Sequence, residues 1–359
     1  MKKVFTLILT FVFSVGLYTP SVYSDETKTV GSVGADYSTM QAAFTAINNG
    51  ILTGAVTLQL IASTTETSSA VLNASGTGSA SYTIVEIYPT VSGLSITGNL
   101  STPVIDLNGA DNVTIDGRVN ATGLAVDMII TNTKSNDDNQ STIRFTNDAT
   151  YNTVKYCVIK GTAIRVDKGI LLFTNIATTT GNSNNTIDHN EITNNGGNRP
   201  RNALFSYGKS EAVPNSSNIV TNNNIHDVLN FNLQFTRAIA LNTSDDQHPN
   251  NSYNTGWTIS GNSFYDSQDF ANSNAAGYAY AIHVWADQGS GFTISNNYIG
   301  GSAALCSGTW TKTTGNIGFT AIFLNANANG ATNYIQGNTI KNFNYTNSGN
   351  YYLYGINFN

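Results

Sequence analysis

Residues 257–264 read Trp-Thr-Ile-Ser-Gly-Asn-Ser-Phe, and the pattern recurs along the chain. Residues 185–192 read Asn-Thr-Ile-Asp-His-Asn-Glu-Ile, 218–225 Asn-Ile-Val-Thr-Asn-Asn-Asn-Ile, 292–299 Phe-Thr-Ile-Ser-Asn-Asn-Tyr-Ile and 333–340 Asn-Tyr-Ile-Gln-Gly-Asn-Thr-Ile. Weaker copies stand at 152–159 and around 113–117. The apolar anchors Ile115, Val154, Ile187, Val220, Ile259, Ile294 and Ile335 follow one another at intervals of 39, 33, 33, 39, 35 and 41 residues. Repeats of that length are units that bury their apolar faces only by stacking on one another, so the chain is a solenoid.

Within the unit, two bend residues separate two apolar positions. The first is His189, Asn222, Gly261, Asn296 or Gly337, mostly types that accept a left-handed backbone. The second is always asparagine: Asn190, Asn223, Asn262, Asn297 and Asn338. Stacked in register, these amides bond one another up the column and leave no buried polar group unpaired. A second apolar series precedes each bend, carried by Ile105, Ile143, Ile170, Ile239, Ile282, Ile322 and Ile356, with Leu204 in the matching place of one further coil. Each repeat thus supplies three short strands, and the expected fold is all-β: a right-handed parallel β-helix of three strands per coil.

An asparagine-bearing bend between the second and third strand of each coil resembles the pectin-lyase-like β-helix family, over about residues 30–359. That resemblance implies a fold more than an activity, because this architecture carries lyases, hydrolases, esterases, epimerases and inert shafts alike. Residues 34–43, Gly-Ala-Asp-Tyr-Ser-Thr-Met-Gln-Ala-Ala, also resemble the opening of pectin methylesterases. That family's downstream Asp-Phe-Ile-Phe-Gly and Leu-Gly-Arg-Pro-Trp stretches are absent, so esterase activity is not implied. Of the four motifs of polygalacturonase-type hydrolases, only an Asp-Asp pair is present, as Asp245-Asp246.

Three segments are expected. Residues 1–24 carry Lys2 and Lys3, an apolar run over 4–17 and the short residues Val22 and Ser24, the pattern of a signal peptide cleaved before Asp25. Residues 25–53 form an N-terminal cap in which Ser38 and Gln41 make a capping box, with Met40, Ala43, Phe44, Ile47 and Ile51 on one helical face. Residues 54–359 form the β-helix, with insertions at 132–141, 194–201, 243–256 and 266–277. The first strand series has one member more than the bend series, so the chain is expected to continue into further coils in a longer protein, with a C-terminal sorting or anchoring module.

The composition fits export. Only 11% of residues are charged, and loss of Lys2 and Lys3 leaves 14 basic against 22 acidic side chains, a net of −8. Such a surface does not attract nucleic acid or anionic membrane. The two cysteines, Cys157 and Cys306, stand four coils apart, about 19 Å at strand spacing, which is beyond disulfide reach.

For chemistry, the outward positions of the first strand series matter most: Asp106, Arg144, Leu171, Ala240, His283, Phe323 and Asn357. One strand puts His283, Trp285 and Asp287 outward together, and the coil before it continues into Asp245, Asp246 and His248. This reading assigns Asp245, Asp246, His283 and Asp287 as candidate acid–base groups. It assigns His248, Trp285, Phe323 and Arg144 as candidate contacts to a sugar, and Asp245 with Asp246 as candidate ligands of Ca²⁺, the one cofactor considered. An acidic pair in a loop rich in Asn, Ser and Pro is equally the composition of a solvated turn. His189 and His226 flank the bends and are assigned structural roles, and Arg199-Pro200-Arg201 a loop. Two functions follow. One is an exported or cell-surface shaft or adhesin-like module that binds glycans without catalysis, similar to β-helical regions of large surface proteins of Gram-negative bacteria. The other is a polysaccharide lyase or glycoside hydrolase acting on an extracellular polysaccharide.

Overall fold

The structure, a computed structural model, describes residues 25–135, 140–242, 252–269, 277–313, 315–327, 329–346 and 352–358. The signal-peptide segment, Asp245, Asp246 and His248 lie outside these residues. Among them, three long sheets of ten, nine and nine strands run the length of the molecule, and every strand pairing within them is parallel. Successive coils visit the three sheets in turn, so the chain is a parallel β-helix of three strands per coil, with one α-helix near its N-terminal end.

The register follows the anchors. In the ten-stranded sheet Ile115, Val154, Ile187, Val220, Ile259, Ile294 and Ile335 are aligned from strand to strand. All but Ile335 are fully buried, and they form a continuous core with the inward residues of the other two sheets. The early strands are not a separate irregular region: Thr53–Leu60, Ala70–Asn73, Ser81–Pro89, Ser95–Gly98 and Ile105–Asn108 take places in the same three sheets. One strand the pattern does not announce is Thr64–Glu66, which is polar throughout.

The bend is built as its residues require. His189, Asn222, Gly261, Asn296 and Gly337 all have positive φ, between 53° and 70°. After each, an asparagine turns into the core. Asn190 Nδ2 donates to Asn223 Oδ1 at 3.0 Å, Asn223 to Asn262 at 2.9 Å, Asn262 to Asn297 at 3.0 Å and Asn297 to Asn338 at 2.9 Å. The second Nδ2 hydrogen reaches the carbonyl of an anchor one coil back, Val154, Ile187, Val220, Ile259 or Ile294. Each Oδ1 also accepts the backbone N–H of the preceding asparagine, and Cys157 N–H closes the series on Asn190 Oδ1. Asn190, Asn223, Asn262 and Asn297 are buried, and Asn338 is half-buried. Gly261 has a further reason to be glycine: a Cβ there would meet Asn222 Oδ1 at 2.6 Å, in a backbone with φ +70°.

A second asparagine column escaped the sequence reading. Asn152 Nδ2 donates to Asn185 Oδ1 at 3.0 Å, and Asn185 Nδ2 to Asn218 Oδ1 at 3.1 Å. These residues recur two positions before the anchors, so their period was visible. In the next coil the place is taken by Trp257, whose Nε1–H donates to the Asn215 carbonyl at 2.9 Å inside the core.

The helix Met40–Asn48 is capped by Thr39, not by Ser38: Thr39 Oγ1 accepts Ala42 N–H at 3.1 Å. Met40, Ala43, Phe44 and Ile47 are buried as expected, but the helix stops before Ile51, which is 65% exposed. Gly50, with φ +69°, follows the helix end. The helix covers the first coil through two polar side chains as well as its apolar face. Asn48 Nδ2 donates to Val71 O at 2.8 Å and Asn48 Oδ1 accepts Asn73 N–H at 3.0 Å, so one side chain pairs the bare edge of Ala70–Asn73 as a strand would. Glu66, buried at the end of Thr64–Glu66, accepts Met40 N–H and Gln41 N–H at 3.0 Å each and sets a carboxylate at the helix N-terminus.

In the coils from Asn190 to Asn338 the bend corner is kept at two residues among the described residues, whereas one coil before Cys157 residues 117–127, with a short 3-10 turn at Val119–Ala121, fill that corner between Val113–Asp116 and Met128–Asn132. The 194–201 insertion joins Glu191–Asn194 to Asn202–Ser206. Cys157 and Cys306 are both buried and free. At the far end Leu353–Phe358 pairs along Ile317–Ala326, with Ile356 and Phe358 exposed.

Two stability outcomes are expected. Asn262→Leu destabilises the fold by about 1–3 kcal/mol, because amides above and below lose partners in a buried column; chemical denaturation of the two proteins measures this. Glu66→Ala costs a similar ~1–3 kcal/mol, and its signature is faster hydrogen exchange at the Met40 and Gln41 amides.

Candidate functional site

The outer face of the sheet that begins with Ala70–Asn73 carries the candidate residues. Its register runs Asp106, Arg144, Leu172, Phe205, Ala240, His283, Phe323 and Asn357. Leu172, not Leu171, is the outward residue, and Leu171 lies in the core beside Ile143 and Leu204. The run Ile170-Leu171-Leu172-Phe173 is apolar throughout, so no alternation marks which side chain faces out.

The structure gathers three of the expected residues and adds others. Ring centroids lie 4.9 Å apart for His283–Phe323, 5.3 Å for Trp285–Phe323 and 6.2 Å for His283–Trp285. Tyr280 stands 4.3 Å from His283, and Tyr278 stacks on Phe235 at 5.8 Å. Ile282 and Val284 point into the core between them. The result is an aromatic platform across three adjacent coils. Its rim is open, with Tyr278 43% exposed and Tyr280 and Trp285 half-buried, while its floor is covered, with His283 3% and Phe323 6% exposed. Among the described residues, three buried polar atoms there have no hydrogen-bond partner: His283 Nδ1, Trp285 Nε1 and Asp287 Oδ1. Burial, with the charge of Arg237 nearby, pushes the His283 pKa well below its ordinary value and keeps the ring neutral.

Arg144 is not part of this group. It stands four coils from His283 in the register, about 19 Å at strand spacing, and its guanidinium is committed to Asp106 through bonds of 2.9 and 2.6 Å. Beside it a shallow pocket is lined by Lys168, Leu172, Phe205 and Tyr207, and Lys168 pairs with Asp167 at 3.3 Å. The calcium site assigned to Asp245 and Asp246 lies outside the described residues.

A second cluster was not anticipated. Arg199, expected in a plain loop, is buried and holds Asp266 through two bonds of 2.6 and 2.7 Å. Asp227 accepts the Ser267 N–H at 2.9 Å and hydroxyl at 2.7 Å, and pairs with His226 Nδ1 at 2.8 Å. His226 Nε2 lies 3.3 Å from Glu191 Oε1, and its ring stacks on Tyr265 at 4.7 Å. Asp227 and Asp266 are separated by the same 39 residues as Asn223 and Asn262, which is the signal that places them on adjacent coils. The cluster ties the 194–201 insertion across three coils. Three carboxylates, Glu191, Asp227 and Asp266, face two basic groups, Arg199 and His226, and burial raises the Asp266 pKa to about 7. His189 is structural too, bonded through Nδ1 to Asp188 at 2.8 Å and stacked on Tyr156.

Fold and site together define a parallel β-helix solenoid bearing an aromatic platform on one outer face. No family model matches the chain, and neither a curated protein nor a solved structure matches it.

The His226 cluster sets a pH dependence. Burial opposes the imidazolium, but Asp227 and Glu191 outweigh it and raise the His226 pKa to about 9 from 6.5. Because the folded value is the higher, this group's contribution is complete below pH 6.5 and is lost as pH rises through about 9. Stability curves of the native chain and of His226→Gln, measured from pH 6 to about 10, are expected to converge at the alkaline end.

Proposed function

We propose that the protein is an exported or cell-surface β-helical shaft that binds glycans through the platform of Tyr280, His283, Trp285 and Phe323, without cleaving them. The observation that carries this reading is the combination of half-buried rings on an outer sheet face with buried polar atoms that lack partners. Aromatic rings stack on the C–H face of a pyranose, and the free indole N–H, imidazole nitrogen and carboxylate oxygen of Trp285, His283 and Asp287 suit its hydroxyls. His283, buried and held neutral, serves a hydrogen-bonding role better than proton transfer. The low charge content favours a surface that works by amides, hydroxyls and rings. The resemblance to pectin-lyase-like β-helices supports the choice of face, since the fold presents this strand row to its ligands.

A panel of extracellular polysaccharides tests the reading in two ways. Isothermal titration calorimetry is expected to find binding that Trp285→Ala weakens by about tenfold, ~1.4 kcal/mol, with an unchanged thermal midpoint. Incubation of the same panel is expected to yield no new reducing or unsaturated ends. Appearance of such ends would reverse the proposal in favour of a lyase or hydrolase.

A further inference from the structure

We infer that the platform of Trp285, His283 and Phe323 selects a neutral glycan and rejects uronates and sulfated sugars. This rests on the glycan-binding reading above and adds the chemical class of the ligand.

The strands that build the platform are Phe235–Leu241, Gly277–Ala286 and Ile317–Ala326. Arg237 is the one lysine or arginine on all three, and these strands carry no Asp or Glu. Its side chain is buried, with the guanidinium 5.6 Å from the Phe235 ring centroid, so it offers no cationic surface to a ligand. His283, the other basic group, is covered and uncharged. A sugar carboxylate or sulfate loses hydration on docking, and nothing exposed on these strands repays it with an opposite charge.

Hydrogen-bonding capacity points the same way. Trp285 Nε1 can only donate, Asp287 Oδ1 as a carboxylate oxygen can only accept, and neutral His283 Nδ1 does one or the other according to its tautomer. A sugar hydroxyl both donates and accepts, so a neutral pyranose can serve all three. An anionic group supplies acceptors alone: it satisfies Trp285 and is repelled by Asp287. Trp285 follows His283 by two positions on Gly277–Ala286, on the same side of the strand, and Asp287 stands in the turn directly after it, so the three groups succeed one another at the end of that strand. Farther along the same face the half-buried cations Arg144 and Lys168 are already paired, with Asp106 and Asp167.

The test uses the full chain and oligosaccharides matched in length and linkage, neutral on one side and uronate or sulfated on the other. Calorimetric titration is expected to show neutral binding that changes by less than about twofold between about 50 and about 500 mM salt, because no ion pair forms. Uronate binding is expected to be at least about tenfold weaker. Preferred binding of the uronate, or a loss of neutral affinity of about tenfold across that salt range, overturns the inference while leaving the glycan-binding reading standing. Binding of neither class overturns the reading itself. Asp287→Asn removes the repelling charge without changing shape, and the preference for neutral over uronate oligosaccharides is expected to fall to less than about threefold. Unchanged discrimination in a folded Asp287→Asn variant, verified by circular dichroism, overturns the inference. Trp285→Ala is expected to weaken neutral binding by about tenfold, and full retention would place the ligand elsewhere and overturn the inference.

Discussion

The asparagine at the five bends from Asn190 to Asn338 is the interaction on which the regular part of the architecture depends. A three-strand coil must reverse sharply inside its own wall, and a sharp reversal leaves backbone donors and acceptors facing an apolar interior. The left-handed residue makes the turn, and the asparagine beside it supplies the missing partners. Its oxygen takes the backbone and side-chain N–H of the neighbouring coil, while its nitrogen returns to an anchor carbonyl. Because every bond in the column runs between coils, the ladder also sets their register. A slip by one residue would carry all the anchors out of the core together.

With register secured at one corner, the other two are free to vary. Insertions collect there, and where one is described it is fastened by charge, as Arg199 fastens the 194–201 segment to Asp266 on a later coil. The first coil needs different treatment, since strand edges there have no neighbour. Asn48 and Glu66 solve this by offering side-chain groups in place of a strand, so the helix Met40–Asn48 closes the stack with hydrogen bonds as well as apolar contact.

The platform arises from the same regularity. Parallel stacking brings the outward residues of successive coils to about 4.8 Å, so aromatic residues placed once per repeat become a contiguous surface. Tyr280, His283 and Trp285 share one strand, stacking brings Phe323 of the next coil against them, and the inward neighbours Ile282 and Val284 are buried in the core. Arg144 obeys the same register but falls four coils away, which is why it pairs with Asp106 and takes no part in the platform.

Periodicity alone determined the solenoid, the asparagine column, the anchors and the row on which His283, Trp285 and Phe323 lie. Each of these depends on residue type recurring at a nearly constant interval, and stacking converts interval directly into contact. Where the local pattern was uniform, tertiary structure had to decide. Leu171 and Leu172 are chemically alike, and only pairing with Ile143 and Leu204 sends the first inward and the second out. Arg199 looked like a loop residue because its partner Asp266 is 67 residues on, across coils whose insertion lengths sequence cannot convert into position. His283 read as an exposed strand residue. Its burial and its neutral ring come from Tyr280, Phe323 and Arg237, brought to it by neighbouring coils and by its own strand's path. Alternation tells a side chain which way to point, whereas only the assembled neighbours determine how much water it sees.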